Sequence, residues 1–295
     1  MKEYPTKQIE DMAHRIYARP FRIGAFGKMK TGKSSILNAI LGMRLLPVKS
    51  ITATAVRTNI HHAEQADAEV IFKNSTIRKV AIDDAKNYIV HAYGKTSEAS
   101  EVNLRFPLPF TLRNSVFVDT PGIDDLAGLN EVSEKAIGKI DLAVLVFDAT
   151  RFISSAERKF CVELNEGLSC NVIFVINKTD SVEFGEVREL ANVYLRTYGI
   201  HIVGSPKVLY TATPENGLPC LDGLSELLSR LVAQHHRDIS RRSRNRQLAK
   251  FVSAQLDGLI AYYSVAVENT QEIQSQAVLW AISRGSTKPV RAYRK

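Results

Sequence analysis

The spacing of apolar residues changes its period several times along the chain. Residues 6–18 have the helical spacing of an amphipathic helix, and the apolar segment FRIGAF that follows predicts a strand. SSILNAILG then predicts a helix that ends at Gly42. Residues 43–58 are predicted to form a loop, and AEVIF and RKVAI to form the two strands of a hairpin.

Predicted helices and strands alternate through the middle of the chain. The helix DDAKNYIVHAYG precedes the strands VNLRF and NSVFVDT, and the apolar strands DLAVLVFDA, NVIFVIN and KVLYTA follow. Helices are expected near residues 131–137, 155–166 and 186–198, and again from residue 221. This alternation predicts an α/β fold with a mostly parallel sheet flanked by helices. Sites in such folds lie at the carboxyl ends of the strands.

Residues 225–283 contain one interior glycine, Gly258, and no proline. Their apolar residues keep a helical period over much of this length. We predict one long helix, or two helices in series, outside the sheet.

The composition is that of a globular protein, with 45% hydrophobic and 24% charged residues in a chain of 295. It excludes a disordered or collagen-like chain. No apolar run approaches the roughly 18 residues of a membrane-spanning helix, and the first 20 residues lack the apolar core of a secretory signal. Three cysteines without a CxxC spacing indicate thiols in a reducing compartment. We therefore expect a cytoplasmic protein.

The net charge of +8 is concentrated at the carboxyl end of the chain. Residues 237–295 hold 11 basic and 4 acidic residues, whereas residues 1–236 hold 28 basic and 27 acidic residues. The basic segment is either a solvated helix face with a frayed tail or a contact surface for an anionic partner.

The segment GKMKTGKS fits the phosphate-binding pattern GxxxxGK[ST], and it lies between a predicted strand and a predicted helix, as the pattern requires. Backbone N–H groups of such a loop hold phosphate oxygens. We expect Lys33 to contact the outer phosphates and the Ser34 hydroxyl to bind Mg²⁺. The candidate phosphate-binding residues are Gly27, Lys28, Met29, Lys30, Thr31, Gly32, Lys33, Ser34 and Ser35.

Two further motifs close apolar strands. DTPG at residues 119–122 offers Asp119 to Mg²⁺ through a water and the Gly122 N–H to a terminal phosphate. NKTD at residues 177–180 fits guanine, because an Asp180 carboxylate can accept from the base N1–H and amine that adenine does not present. Lys178 can cover the base and Asn177 can hold the loop together. Thr211-Ala212, after the next strand, is a weaker candidate for a contact to the base oxygen.

Together, FGKMKTGKSSILNAILG, LLPVKSITATAVRT, VFVDTPGID and NKTD resemble the dynamin-like GTPases, and the bacterial members most of all. The resemblance covers roughly residues 6–240. It implies a phosphate-loop GTPase fold that binds GTP with Mg²⁺ and hydrolyses it to GDP and phosphate. It also matches Thr54 to a threonine that binds Mg²⁺ and holds the attacking water, with Thr52 as the alternative.

Two departures from the family bear on catalysis. Met29-Lys30 replaces a Gln-Ser pair that helps to place a water and a monovalent cation in eukaryotic dynamins. Lys30 either supplies that positive charge or is a solvated loop lysine. DTPG is followed by Ile123-Asp124-Asp125 and not by glutamine, so we expect slow intrinsic turnover. The predicted catalytic residues are Lys33, Thr54, Lys30 and Gly122.

The resemblance also divides the chain. We expect an N-terminal neck helix at residues 1–20, a GTPase domain at 21–235, a basic helical segment at 236–284 and a basic tail at 285–295. About 55 residues after the GTPase domain suffice for a long helix or a short hairpin, so a full stalk is not expected. Dimerisation through the GTPase domain is expected from the family.

Three functions remain open at this point. The first is a dynamin-like GTPase that couples hydrolysis to remodelling of a membrane or a partner, at the inner face of a membrane. The second is a switch GTPase that binds a protein or RNA effector. The third is a poorly hydrolysing subunit that assembles with a larger dynamin-like partner. The resemblance favours an anionic membrane over nucleic acid for the basic segment.

Overall fold

A computed structural model describes most of the chain. The described residues are 6–48, 56–89, 98–122, 140–151, 154–166, 171–183, 185–189, 208–214 and 219–283. The helices are α1 (Thr6–Ala18), α2 (Lys33–Leu41), α3 (Ile82–Ile89), α4 (Ser155–Glu166), α5 (Leu224–Arg230) and α6 (His236–Ser283). The strands are β1 (Phe21–Phe26), β2 (Arg57–His62), β3 (Asp67–Phe72), β4 (Ile77–Val80), β5 (Ala99–Phe106), β6 (Ser115–Asp119), β7 (Leu142–Asp148), β8 (Asn171–Asn177) and β9 (Val208–Tyr210).

The nine described strands form one sheet in the order β4-β3-β5-β2-β6-β1-β7-β8-β9. β6, β1, β7, β8 and β9 run parallel, so their carboxyl ends meet at one edge. β2 and β5 pair in parallel with each other, while β2 is antiparallel to β6 and β3 is antiparallel to both β4 and β5. The predicted α/β fold with a mostly parallel sheet is confirmed.

Burial explains why the central strands are continuous apolar runs. Every residue of β6 and β7 is buried, as is every residue of β1 except Arg22. Helix α2 adds buried apolar residues to the same core, and Gly42 ends it in the left-handed conformation. The predicted hairpin is also confirmed, because β3 and β4 pair in an antiparallel ladder.

The prediction of a loop after α2 is wrong at its carboxyl end. Residues 43–58 were expected to form a loop, but strand β2 already begins at Arg57. The segment RTNIHH has too few apolar residues to predict a strand. Its polar side chains are paired across the sheet instead, because Arg57 forms an ion pair with Glu101 and Asn59 donates to Asn103.

Two compact units are evident from contacts between residues. One comprises residues Ile16–Gln247, and the other comprises the described residues at the two ends of the chain. Both boundaries fall inside helices, whereas the predicted domain boundaries follow residues 20 and 235. The division into neck, GTPase domain and basic segment therefore stays a prediction.

The predicted long helical region is interrupted only by a change of helix type. After α5, residues Leu231–His235 form a π-helix that leads into the 48 residues of α6. Several large apolar side chains on α6 are exposed, among them Leu256, Ile260 and Tyr263. Within the described part of the chain, no helix has the length and hydropathy needed to cross a membrane.

A buried carboxylate lies at the amino end of β7. Asp141 accepts from the Arg22 N–H at 3.0 Å and forms an ion pair with Arg19 at 3.0 Å. Arg244 of α6 also reaches this region and donates to the backbone oxygens of Tyr17 and Arg19 at 2.7 and 2.8 Å. Arg244 thus caps the carboxyl end of α1 and contributes little charge to the surface.

Asn38 fixes the start of the segment after α2. Its side-chain nitrogen donates to the Leu46 oxygen at 2.8 Å, and its side-chain oxygen accepts from the N–H groups of Leu45 and Leu46 at 3.0 and 2.7 Å. Leu45 and Leu46 are buried in the core. One buried amide therefore orients the segment that leads toward residues 49–55.

We predict that Asn38→Ala lowers the free energy of unfolding by about 3 kcal/mol, because it leaves buried backbone groups without partners. Asn74→Ala is the matched control, since Asn74 accepts two hydrogen bonds in the exposed β3–β4 turn. Its effect should stay below about 1 kcal/mol. Chemical denaturation measures both. Equal losses in the two variants would contradict the role given to Asn38.

Candidate functional site

The phosphate loop lies at the carboxyl end of β1 and runs into α2. Lys33 is 6% exposed, and its ammonium donates to the backbone oxygens of Gly27 and Lys28 at 2.9 and 2.8 Å. The Thr31 hydroxyl also donates to the Lys28 oxygen, at 3.0 Å. These bonds close the loop around the Lys33 side chain. The loop leads directly into the first turn of α2, the part of a helix whose N–H groups favour anions.

Gly32 is required by its surroundings as well as by its backbone. Its φ is 97°, which other residues adopt at a cost. A Cβ at this position would lie 2.2 Å from the side-chain nitrogen of Asn177. The phosphate loop therefore approaches the NKTD segment more closely than any side chain at residue 32 would permit.

The DTPG segment also lies against the phosphate loop. The Ser34 hydroxyl donates to Asp119 at 2.7 Å, and the Asp119 side chain is fully buried. The Thr120 hydroxyl donates to the Ala25 oxygen in β1 at 2.7 Å. A Cβ on Gly122 would lie 2.8 Å from the Met29 nitrogen, so the two backbones are in close approach.

Ser34 and Asp119 are chemically suited to Mg²⁺. Both offer oxygen atoms, which this hard cation prefers, and their hydrogen bond places them at one point beside the phosphate loop. The sequence predicted both as metal-site residues. Thr54 and its alternative Thr52, the other predicted metal-site residues, lie outside the described residues.

Asn177 joins three segments at the end of β8. Its side chain is fully buried, and its nitrogen donates to the Thr31 oxygen at 2.9 Å. Its oxygen accepts from the Thr211 hydroxyl at 2.9 Å, and Thr213 lies within 3.1 Å of its nitrogen. The structure thus brings together the predicted residues of the phosphate loop, NKTD and Thr211.

The remaining NKTD residues differ in exposure. Lys178 adopts the left-handed conformation with a φ of 65° and is partly exposed, whereas Asp180 is exposed in a short 3₁₀-helix. The Ala212 N–H, predicted to lie near a base oxygen, donates to the Cys220 oxygen at 2.8 Å. A contact between Ala212 and a base would require this pairing to open.

The remaining candidate residues for phosphate binding differ in exposure. Lys28, Met29 and Ser35 are half-buried, and Lys30 is exposed with a φ of 65°. The exposed position of Lys30 is compatible with both interpretations of its role. Its catalytic function stays a prediction.

Asp148 was missed by the sequence reasoning. It ends β7 and forms an ion pair with Lys178 at 2.5 Å. Burial raises the pKa of Asp148, but hydrogen bonds from Lys178 and Thr150 outweigh burial, so the pKa lies below its usual value. The available signal was an aspartate that ends a buried apolar strand, between the strands of two recognised motifs.

We predict that Gly32→Ala lowers the free energy of unfolding by roughly 3 kcal/mol or more, because it combines backbone strain with displacement of the Asn177 amide. Gly42→Ala is the matched control. Gly42 has a φ of 72°, but no atom lies within 4 Å of a Cβ built there. It should cost only about 1 kcal/mol. Denaturation curves compare the two, and a similar loss in both would contradict the close approach of residues 32 and 177.

Comparison with known proteins assigns a family to this arrangement. The model of the dynamin family matches residues 23–179, which is more than half of the chain. The match spans the phosphate loop, DTPG and most of NKTD. It omits Asp180, the residue expected to select guanine.

Individual relatives are more distant. An uncharacterised protein of Caldicellulosiruptor sp. strain Rt8B.4 is 28% identical over 60% of this chain and 45% of its own length. The bacterial dynamin-like protein of Nostoc punctiforme is 26% identical over 60% of this chain and 28% of its own length. This chain therefore spans less than half the length of either relative.

A solved structure shares the fold. It is described as an oligomerised bacterial dynamin pair that provides a mechanism for the long-range sensing and tethering of membranes. The TM-score is 0.69 over 95% of this chain and 46% of that chain, at 18% identity. With the family match over residues 23–179, these findings show that the chain belongs to the dynamin-like GTPase family.

Proposed function

We propose that this protein binds GTP with Mg²⁺ and hydrolyses it to GDP and phosphate. The observation that carries the proposal is the convergence of three loops at the carboxyl edge of the sheet. The contact between Ser34 and Asp119, at 2.7 Å, joins the phosphate loop to DTPG. The contact between Asn177 and Thr31, at 2.9 Å, joins the phosphate loop to NKTD.

Phosphate binding would rest on the loop and on Lys33. The backbone N–H groups at the start of α2 would bind phosphate oxygens, and the Lys33 ammonium would contact the outer phosphates. Ser34 and Thr54 would hold Mg²⁺ directly, and Asp119 would hold it through a water. When bound, Mg²⁺ supplies positive charge that stabilises the phosphates.

Base selection would rest on NKTD. Asp180 is exposed, so its carboxylate can accept hydrogen bonds from the N1–H and amine of guanine. Lys178 would cover the face of the base with its aliphatic stem. Asn177 would hold the loop, and this role is supported by its bonds to Thr31 and Thr211.

Hydrolysis requires a positioned water. The proposed groups on this chain are the N–H of Gly122, a residue in close approach to Met29 of the phosphate loop, and the Thr54 backbone. Lys30 would add positive charge. Strong potassium dependence of turnover would contradict that role of Lys30.

Without a glutamine after DTPG, a second copy bound across the nucleotide face would complete the site.

A membrane surface is the proposed target of the basic segment. Arg237, Arg241 and Arg246 of α6 are exposed and accessible to anionic headgroups, whereas Arg244 is buried as a helix cap. The solved structure that shares this fold is described as providing a mechanism for sensing and tethering membranes, which supports the same target here by analogy. We place the protein at the inner face of a membrane on these grounds.

We predict that GTP turnover per molecule rises with protein concentration, because dimerisation completes the site. Lys33→Ala should reduce turnover at least about 100-fold, since it removes the positive charge that would contact the outer phosphates. Lys73→Ala is the control, because Lys73 lies in the exposed β3–β4 turn. The rate of phosphate release measures turnover in the wild type, Lys33→Ala and Lys73→Ala. Turnover that stays negligible at every concentration would instead favour a subunit that needs a larger partner.

We predict that replacing Arg237, Arg241 and Arg246 with glutamine weakens binding to vesicles of anionic lipid by about 100-fold, at about 1 kcal/mol for each charge. The matched control replaces Lys73, Arg78 and Lys79, which are exposed near the β3–β4 hairpin. Vesicle co-sedimentation compares the triple variants. Equal vesicle binding by the two triple variants, or no vesicle binding by the wild type, would contradict a membrane role for α6.

A further inference from the structure

We propose that Asp148 is a positioning residue for guanine recognition, which holds the Lys178 side chain in place beside the base-binding loop. The inference rests on the proposed function, because it assigns Asp148 to the same nucleotide site. Asp148 does not belong to any of the three sequence motifs. Its position is set by the register of the sheet, in which Asp148 at the end of β7 is the partner of Asn177 at the end of β8.

The two oxygens of the Asp148 carboxylate have different partners. One accepts from the Thr150 N–H at 3.0 Å and from the Thr150 hydroxyl at 2.6 Å. The other accepts from the Lys178 ammonium at 2.5 Å. Thr150 therefore fixes the orientation of the carboxylate, and the oriented carboxylate in turn fixes the end of the Lys178 side chain.

The backbone is constrained at the same point. The Ala149 N–H donates to the Asn177 oxygen at 2.8 Å, which ties the residue after Asp148 to the residue before Lys178. Lys178 adopts a φ of 65°, a left-handed conformation that is uncommon for lysine. The backbone of Lys178 and the ammonium at the end of its side chain are thus both held before a nucleotide binds.

Holding Lys178 has two consequences for binding. A free lysine side chain loses rotamer freedom when it is ordered against a base, and that loss opposes binding. Asp148 orders it during folding instead. Lys178 is also two residues from Asp180, and its ammonium would otherwise be free to pair with that carboxylate. Asp180 makes no side-chain hydrogen bond or ion pair with the residues that the structure describes. Its carboxylate therefore remains available to guanine.

The rival explanation is that Asp148 only stabilises the turn at Thr150. A double-mutant cycle separates the two, because a residue that acts through Lys178 has no effect once Lys178 is changed. Two control variants accompany the double-mutant cycle. Arg151→Gln removes a longer ion pair to the same carboxylate, at 3.7 Å and largely exposed. Asp141→Asn changes the buried carboxylate at the opposite end of β7.

The experiment measures GDP affinity of the full chain in the presence of Mg²⁺ by titration calorimetry. We expect Asp148→Asn to weaken GDP binding about tenfold in the wild-type background, and less than about twofold in the Lys178→Met background. Arg151→Gln and Asp141→Asn should change GDP affinity less than about twofold, although Asp141→Asn should lower the unfolding midpoint.

Two results would overturn the inference: wild-type GDP affinity in Asp148→Asn, or an equal loss from Asp148→Asn with and without Lys178. If Asp148→Asn does not fold, Asp148→Glu keeps the charge and is measured in the same cycle, with a smaller loss that again disappears in Lys178→Met. A wild-type protein that binds no GDP would overturn the proposed function itself. That outcome is distinct from GDP binding that the Asp148 variants leave unchanged.

Discussion

The arrangement of the candidate site depends on one buried amide, that of Asn177. A buried amide without hydrogen-bond partners costs about 1–3 kcal/mol, so its surroundings must supply both a donor and an acceptor. Thr31 of the phosphate loop supplies the acceptor, and Thr211 after β9 supplies the donor. The phosphate loop, NKTD and the segment after β9 are therefore held in a fixed relation by a fully buried group. Gly32 completes this constraint, because only a residue without a side chain leaves room for the amide.

In the proposed function, local geometry and not overall charge would create the affinity for phosphate. Residues 1–236 are nearly neutral, with 28 basic and 27 acidic residues. The Lys33 ammonium is held inside the phosphate loop, and the Lys178 ammonium is neutralised by Asp148. The excess positive charge lies in the segment after residue 236, where exposed arginines suit a contact with an anionic surface. In the proposed function, nucleotide binding and partner binding would thus use separate sets of charges.

The sequence was sufficient where the signal is local. The phosphate loop, DTPG and NKTD each follow an apolar strand, and the parallel order of those strands brings them together as expected. Sequence reasoning failed where a residue depends on distant partners. Strand β2, which begins at Arg57, was not predicted because its polar residues are stabilised by pairing with β5, some 44 positions away. Asp148 was missed because its partner Lys178 is 30 positions away and becomes its neighbour only through the register of β7 and β8.

The most direct test of the account is a comparison of guanine and adenine nucleotides. Calorimetric titration of the wild-type protein with GDP and with ADP, both with Mg²⁺, measures whether the site formed by Asn177, Lys178 and Asp180 selects the base. We expect GDP to bind and ADP to bind at least about 100-fold more weakly, because ADP leaves the Asp180 carboxylate without donors. Equal affinity for the two nucleotides, or no binding of GDP, would contradict it.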